Sequence, residues 1–253
     1  MFALVAARPI AARELLRDAP RSLWVLSREH KDGWGIALRT ADDWIVHRST
    51  ECAAQCSRYG EVVDVVCARV LVAHVRQKTV GETSLANTHP FRRGPFVFAH
   101  NGTVQDVAGL VARTSRERLA EIEGDTDSER LFAFLMSHVD RARAANRVDP
   151  AAADEVGVVA AVRELHSFDR IGSASFLLSC GDRTYAHRLG RSLFALTRHA
   201  ANEERRTAAV VIASERLTGE AWHELPERSL VVIDDGLAVR ALVGEQASAP
   251  AWF

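Results

Sequence analysis

Short runs of alternating apolar and polar residues fill the first hundred positions and predict strands at Phe2–Ala7, Trp34–Arg39, Trp44–His47, Val66–Arg76 and Phe96–His100. Small helices are expected between them, over Ala11–Arg17 and Glu51–Arg58. The period then lengthens. Thr126-Asp127-Ser128-Glu129 opens a longer helix: Thr126 caps it, Glu129 reaches back to the cap, and Leu131, Phe132, Leu135 and Val139 fall on one face. A second helix starts at Asp149-Pro150, a capping residue followed by proline in the first turn, and its apolar positions are Val156, Val159, Val162 and Leu165.

Alternation returns in the last third. Strands are predicted at Ala174–Ser179, Thr184–His187, Ser192–Thr197, Ala208–Ser214, Leu230–Asp234 and Leu237–Val243, with Gly181-Asp182 and Asp235-Gly236 as hairpin turns. Strands, then two helices, then strands do not match the regular βα alternation of a doubly wound parallel sheet. The order predicts an α+β fold in which two antiparallel sheets pack together with helices outside. No repeat, low-complexity block or long linker divides the chain, so one domain over 1–253 is expected. Its tail, 244–253, is either frayed or docked through Trp252 and Phe253.

Composition narrows the function classes. The chain has 253 residues, 47% of them hydrophobic, enough for a substantial core. A formal net charge of −1 supplies no overall field toward nucleic acid or anionic lipid, and neither is expected as a partner. The 30 basic residues other than Lys31 and Lys78 are all arginine. No apolar run reaches the roughly 20 residues of a membrane span, and Met1–Ile10 lacks the apolar stretch of a secretory signal, so a cytoplasmic protein is expected. Cys52, Cys56, Cys67 and Cys180 are too few for a disulfide framework in a chain of this length and are expected reduced and buried. His47, Cys52 and Cys56 lack paired Cys-x-x-Cys spacing, so neither a metal nor another cofactor is expected.

Several segments carry candidate chemistry. Arg76 follows Val70-Leu71-Val72-Ala73-His74-Val75, where strand alternation puts Val70, Val72, His74 and Arg76 on one face. A guanidinium at a strand end can grip a carboxylate with two parallel hydrogen bonds; taken alone, it is a solvated charge. Phe98-Ala99-His100-Asn101-Gly102 ends a strand in a turn where the Asn101 amide and the Gly102 N–H can point at a developing oxyanion, although an ordinary Asn-Gly turn explains it equally. Asp127, in the first helical turn, suits either the helix dipole or a substrate ammonium. Asp32-Gly33-Trp34-Gly35 and Asn87-Thr88-His89-Pro90-Phe91 are turn-rich segments suited to tight loops or to lining a pocket.

Taken together and in order, these segments resemble the class II glutamine amidotransferases, of the N-terminal nucleophile hydrolase superfamily. The resemblance rests on His30-Lys31-Asp32-Gly33-Trp34-Gly35-Ile36, Ala73-His74-Val75-Arg76, Gly81-Glu82 leading to Asn87-Thr88-His89-Pro90-Phe91, Ala99-His100-Asn101-Gly102, Thr126-Asp127-Ser128-Glu129 and Ile212-Ala213-Ser214-Glu215-Arg216-Leu217-Thr218. It is nearest to stand-alone members that consist of a glutaminase-like domain. The resemblance implies a four-layer αββα sandwich. It implies further that Arg76 binds the α-carboxylate of glutamine, Asp127 its α-ammonium, and Asn101 with Gly102 the oxyanion. Trp34, His74, Thr88, His89 and His100 would line the pocket. A glutamine-type amino acid is the implied ligand, and a synthase-type protein an implied partner.

The same resemblance places a nucleophilic cysteine, exposed by removal of the initiator methionine, where this chain has Phe2. A phenyl ring cannot attack an amide, and a bulky second residue disfavours removal of Met1, which would leave the free amine one residue displaced. The ring is expected to plug the bottom of the pocket. No substitute nucleophile emerges: Cys52 and Cys56, at i and i+4, read as the buried face of a short helix, and Ser173 and Ser175 lack a nucleophile-elbow turn. A homologue without glutaminase turnover is the leading expectation. Its rivals are an amidohydrolase acting on glutamine or a γ-glutamyl compound through another nucleophile, and a non-catalytic interaction or regulatory module.

Overall fold

The computed structural model describes residues 1–199 and 208–244; the tail expected to be frayed or docked lies, from 245 on, outside the described residues. In chain order the elements are β1 (Phe2–Ala11), a π-helical turn (Glu14–Asp18), α1 (Leu23–Leu26), β2 (Trp34–Arg39), β3 (Trp44–Ser49), α2 (Ser57–Val65), β4 (Cys67–Val75), β5 (Phe91–Arg93) and β6 (Phe96–Val104). Helices α3 (Val107–Arg113), α4 (Arg116–Ala120), α5 (Asp127–Ala145) and α6 (Pro150–Leu165) follow. The chain then forms β7 (Gly172–Ser179), β8 (Arg183–His187), β9 (Phe194–Arg198), β10 (Ala209–Ala213), β11 (His223–Glu224), β12 (Leu230–Asp234) and β13 (Val239–Val243).

Two antiparallel sheets result, ordered β11-β9-β10-β1-β4-β2-β3 and β13-β12-β8-β7-β6-β5. Strand alternation gives each sheet two apolar faces. Ala3, Val5, Val72 and Ile212 of the first sheet meet Val97, Ala99, Leu177 and Ile233 of the second in an apolar layer between them. The alternate residues Phe2, Leu4, Leu71 and Val211 face outward and pack under Leu15, Leu16, Leu23 and Tyr59. On the other side Phe98, Phe176 and Tyr185 pack beneath Phe132, Leu135, Val139 and Val162 of α5 and α6. The layers therefore run αββα, as the element order and the resemblance both lead one to expect.

The helices show where local pattern misleads. The first expected helix is the π-helical turn, because β1 runs on through a bulge to Ala11. The expected helix at Glu51–Arg58 begins instead at Ser57, where Tyr59, Val62 and Val63 supply the buried face; Cys52 precedes it, with its thiol against the Ser27 carbonyl at 3.1 Å, and Cys56 is its cap. Cys67 is exposed and Cys180 half-buried, so only Cys52 and Cys56 meet the expectation of burial. On α5, Thr126 Oγ1 accepts from Glu129 N at 3.2 Å, but the Glu129 carboxylate turns to the amides of Glu123 and Gly124 and to Arg93 rather than back to the cap. On α6, Val156 is 62% exposed, and the buried stripe is Ala153, Gly157, Val158, Ala161, Val162 and Leu165. Small residues at 153, 157 and 161 bring this helix close to α5: a Cβ on Gly157 would lie 2.6 Å from Val139 Cα.

Candidate functional site

One end of the interface between the sheets opens into a cleft of about 330 Å³, lined by Met1 just ahead of β1, by β4, β6 and the start of α5, among others. Its construction begins at Arg76. The Arg76 N–H donates to the Gly33 carbonyl at 2.8 Å and Asp32 N donates to the Arg76 carbonyl at 3.0 Å, so the Asp32-Gly33 turn braces the residue that follows β4. The buried guanidinium donates to the carbonyls of Val80, at 3.0 Å, and Glu82, at 3.2 Å. Burial lowers its pKa, against the raising effect of Asp32 and Asp125.

The loop that holds Arg76 also holds Asp127. Asn87 Nδ2 donates to the Glu82 carbonyl at 2.8 Å and to Asp125 Oδ1 at 2.6 Å, while Asp125 N donates back to Asn87 Oδ1 at 3.0 Å. Asp125 precedes the cap of α5, so this pair of reciprocal bonds sets the start of the helix. Asp127, buried in its first turn, accepts from Val104 N through Oδ2 at 2.6 Å, leaving Oδ1 for the cleft.

Asn101 and Gly102 are not in a turn. They lie within β6, opposite Ser175 and Ala174 of β7. Gly102 has φ +152°, and a Cβ there would stand 2.3 Å from the Ser173 carbonyl oxygen, so the close approach of β7 excludes any side chain. Next to it, His100 Nε2 contacts the Ser173 carbonyl at 3.1 Å; that oxygen only accepts, so Nε2 carries the proton and Nδ1 accepts from the Ser128 hydroxyl at 2.8 Å. Burial keeps this imidazole neutral by lowering its pKa.

His74 and His89 lie with ring centroids 4.5 Å apart. Burial pushes both well below the ordinary histidine range, with each ring's neighbours adding to the effect. His74 Nδ1 and both His89 ring nitrogens are buried without a hydrogen-bond partner among the described residues.

At the floor lies Met1, whose α-amino group donates to Ser214 Oγ at 3.0 Å while Ser214 N donates to the Met1 carbonyl at 3.0 Å. Burial lowers the pKa of this amine to about 5, partly opposed by Glu215, so near neutral pH it is a free base.

The cleft thus brings together Arg76, Asn101, Gly102, Asp127, His74, His89 and His100. It does not include Phe2, Trp34 or Thr88. The Phe2 ring is fully buried on the outer face of the first sheet, under the helices, and does not plug the pocket: position 1 faces the cleft, and strand pleat sends position 2 the other way. Trp34 packs in the same outer core, its ring edge-on to Tyr59 at 5.0 Å. Thr88 is fully buried and donates to the Ser84 carbonyl at 2.7 Å, supporting the loop rather than lining the pocket. Among the lining residues that the individual segments did not reveal are Ser128, Arg191 and Ser214; Ser128 and Ser214 lie inside the segments that carry the resemblance, and that is their only signal. Among the described residues no three of His, Cys, Asp or Glu are grouped to hold a metal ion. No helix among them is long and apolar enough to cross a membrane.

Two packed antiparallel sheets between helix layers, with a polar cleft at the end of the central strand, define the class to which the fold belongs. The solved B. subtilis glutamine phosphoribosylpyrophosphate amidotransferase, complexed with ADP and GMP, shares this fold: 98% of the chain superposes on 49% of that one with a TM-score of 0.65 at 16% identity. The chain belongs to the class II glutamine amidotransferases, whose family model matches residues 22–251. It is similar to the Mycobacterium tuberculosis gamma-glutamyl-hercynylcysteine sulfoxide hydrolase, 28% identical over 248 residues and 92% of each chain. It also matches the amidophosphoribosyltransferase of Synechococcus elongatus, 30% identical over 143 residues, which cover 54% of this chain and 27% of that protein. The matched stretch spans about half the length or less of the curated relatives from Methanocaldococcus jannaschii, Haemophilus influenzae and Escherichia coli.

Proposed function

We propose that the cleft binds glutamine or a γ-glutamyl compound and does not run the thiol-dependent glutaminase reaction. The observation that carries this reading is a lining in which Arg76, Asp127, Asn101 and Gly102 meet while no cysteine takes part. Arg76, with two of its donors anchored on the Val80 and Glu82 carbonyls, offers the rest to an α-carboxylate. Asp127 Oδ1 receives the α-ammonium, and the carboxylate is held for it by the Val104 amide on the other oxygen. Asn101 and Gly102 take the side-chain carbonyl oxygen. The resemblance to a hydrolase of a γ-glutamyl compound along most of both chains supports the wider ligand class.

Phe2 stands where the resemblance places the nucleophile, and with its ring in the outer core it contributes no group to the cleft. The cleft then grips an amino acid without forming an acyl-enzyme, which makes it a sensor or carrier of that ligand. Calorimetric titration with glutamine, paired with an assay for released glutamate, tests both halves. Binding is expected, with release no greater than from heat-killed protein; Arg76→Ala is expected to weaken binding by about 2–4 kcal/mol, the usual effect of truncating a buried ionic hydrogen-bond partner. Turnover by the unaltered chain would overturn the inactive reading, and absence of binding the ligand. Because the side chain at position 2 faces the outer core, Phe2→Cys is expected to leave glutamate release at the level of the heat-killed control even where mass spectrometry verifies loss of Met1.

A further inference from the structure

The cleft has two flanks. Strand order places β4 on one side of β1 and β10 on the other, so Arg76 and Ser214, which follow those strands, stand on opposite sides of Met1. The flank with Arg76, Asp127 and β6 is the one assigned above to the amino-acid end of the ligand. On the other flank Ser214 is joined by Arg191 and Ser192, from the connection between β8 and β9.

That connection is held at several points. The buried Ser175 hydroxyl donates to the Arg191 carbonyl at 2.8 Å and accepts from Leu189 N at 2.9 Å. Gly190 N donates to Glu227 Oε1 at 2.7 Å. Gly190 also packs on Ser173, the residue whose carbonyl abuts Gly102, so the backbone of this flank is set against the Asn101-Gly102 edge itself.

Charge on this flank is unevenly satisfied. Arg188 is engaged by Glu224 at 2.7 Å and Glu227 at 3.3 Å, and Glu215 is engaged by Arg21 at 2.8 Å. The Arg191 side chain, exposed at the cleft, has no hydrogen bond or ion pair among the described residues. A fixed backbone that aims an unpaired planar guanidinium into a polar cleft suits a carboxylate.

We infer that Arg191 forms a second anion subsite, which receives a carboxylate on the far side of the γ-amide and makes γ-glutamyl amino acids, rather than free glutamine, the preferred ligands. This rests on the reading of the Arg76 flank as the glutamyl site. A ligand seated there by its α-carboxylate and α-ammonium directs its γ-amide past Asn101 toward Met1, and whatever the amide nitrogen carries then meets the Arg191 flank.

Titration with glutamine, γ-glutamylmethylamide and γ-glutamylglycine tests the inference, because the last two extend the amide equally far from the glutamyl group but only one ends in a charge. The unaltered chain is expected to bind γ-glutamylglycine about tenfold more tightly than γ-glutamylmethylamide, the effect of one charge-assisted contact. Arg191→Gln is expected to erase that difference while leaving glutamine and γ-glutamylmethylamide within about twofold of the unaltered chain, and Arg191→Lys to retain part of it. Equal affinities of the unaltered chain for the two extended ligands would overturn the inference and leave the glutamyl site standing. An equal loss for all three ligands in Arg191→Gln would overturn it too, since the residue would then support the cleft generally. Failure of all three ligands to bind would reject the glutamyl site, and the second subsite with it.

Discussion

In the proposed site Asp127 gives one carboxylate oxygen to the Val104 amide and the other to the ligand, and the two tasks can be separated by substitution. Asp127→Ala removes the acceptor of the buried Val104 N–H and is expected to cost about 1–3 kcal/mol in urea unfolding. Asp127→Asn keeps an oxygen for that amide but loses the charge, so stability is expected to stay close to that of the parent while glutamine affinity falls about tenfold in calorimetric titration, as for one ionic hydrogen bond. Phe2 poses the opposite problem. Its ring fills the outer core, so Phe2→Cys is expected to lower stability by about 2–4 kcal/mol through the cavity it leaves, and the glutamate assay on that variant belongs well below its lowered melting temperature. Arg76, Asn101, Gly102 and Asp127 were each ambiguous alone and were singled out as a set through the family resemblance; the fold brings the four to one cleft. The direction of Phe2 was not legible: alternation states that neighbours face opposite ways, and only the pairing of Phe2 with Ala73 and Ala213 decides which face is which. Trp34 and Thr88 were misread for a related reason, since a residue inside a functional segment can serve it by packing beneath the loop.

At the scale of elements, the close contact of α5 with α6 turns on Gly157. Alanine is the better helix former by about 1 kcal/mol, but its methyl would stand 2.6 Å from Val139 Cα, and overpacking of that kind costs about 1–3 kcal/mol. Gly157→Ala is therefore expected to lower the denaturation midpoint despite the gain in propensity. The apolar pattern of α6 suggested a face through Val156, because branched side chains dominate a hydrophobicity count, whereas small residues carry the actual approach. Strands β7 and β8 yield a pH prediction. His187 on β8 is fully buried, donates from Nδ1 to the Ala174 carbonyl at 3.0 Å and meets His166 Nε2 at 3.0 Å, and burial lowers its pKa to about 3. The unfolded chain takes up a proton there near pH 6.5 and the folded one does not, so stability is full above about pH 6.5 and declines toward pH 3, by at most about 1.4 kcal/mol per unit from this group. Urea midpoints measured from pH 7 down to 4 are expected to fall, with a shallower slope in His187→Gln; the cleft histidines, the buried Met1 amine and other histidines lowered by burial, such as His138 and His166, contribute to the remainder.

Across the whole molecule, the layered architecture was readable because the order of strands and helices leaves few ways to cover two amphipathic sheets. The strand order was not readable. Sequence neighbours β2 and β3 pair as a hairpin, but β1 pairs with β4 and β10, contacts that join distant parts of the chain and that no local pattern specifies. This long-range pairing places Met1 at the floor of the cleft, between the Arg76 and Ser214 flanks. Met1 is only 5% exposed there, so any residues joined ahead of it, such as a purification tag, have to leave through the space a ligand would fill. A tagged protein is expected to bind glutamine at least tenfold more weakly than the same protein after the tag is cut away, and an assay run with the tag in place would report a closed door rather than an unfit lock.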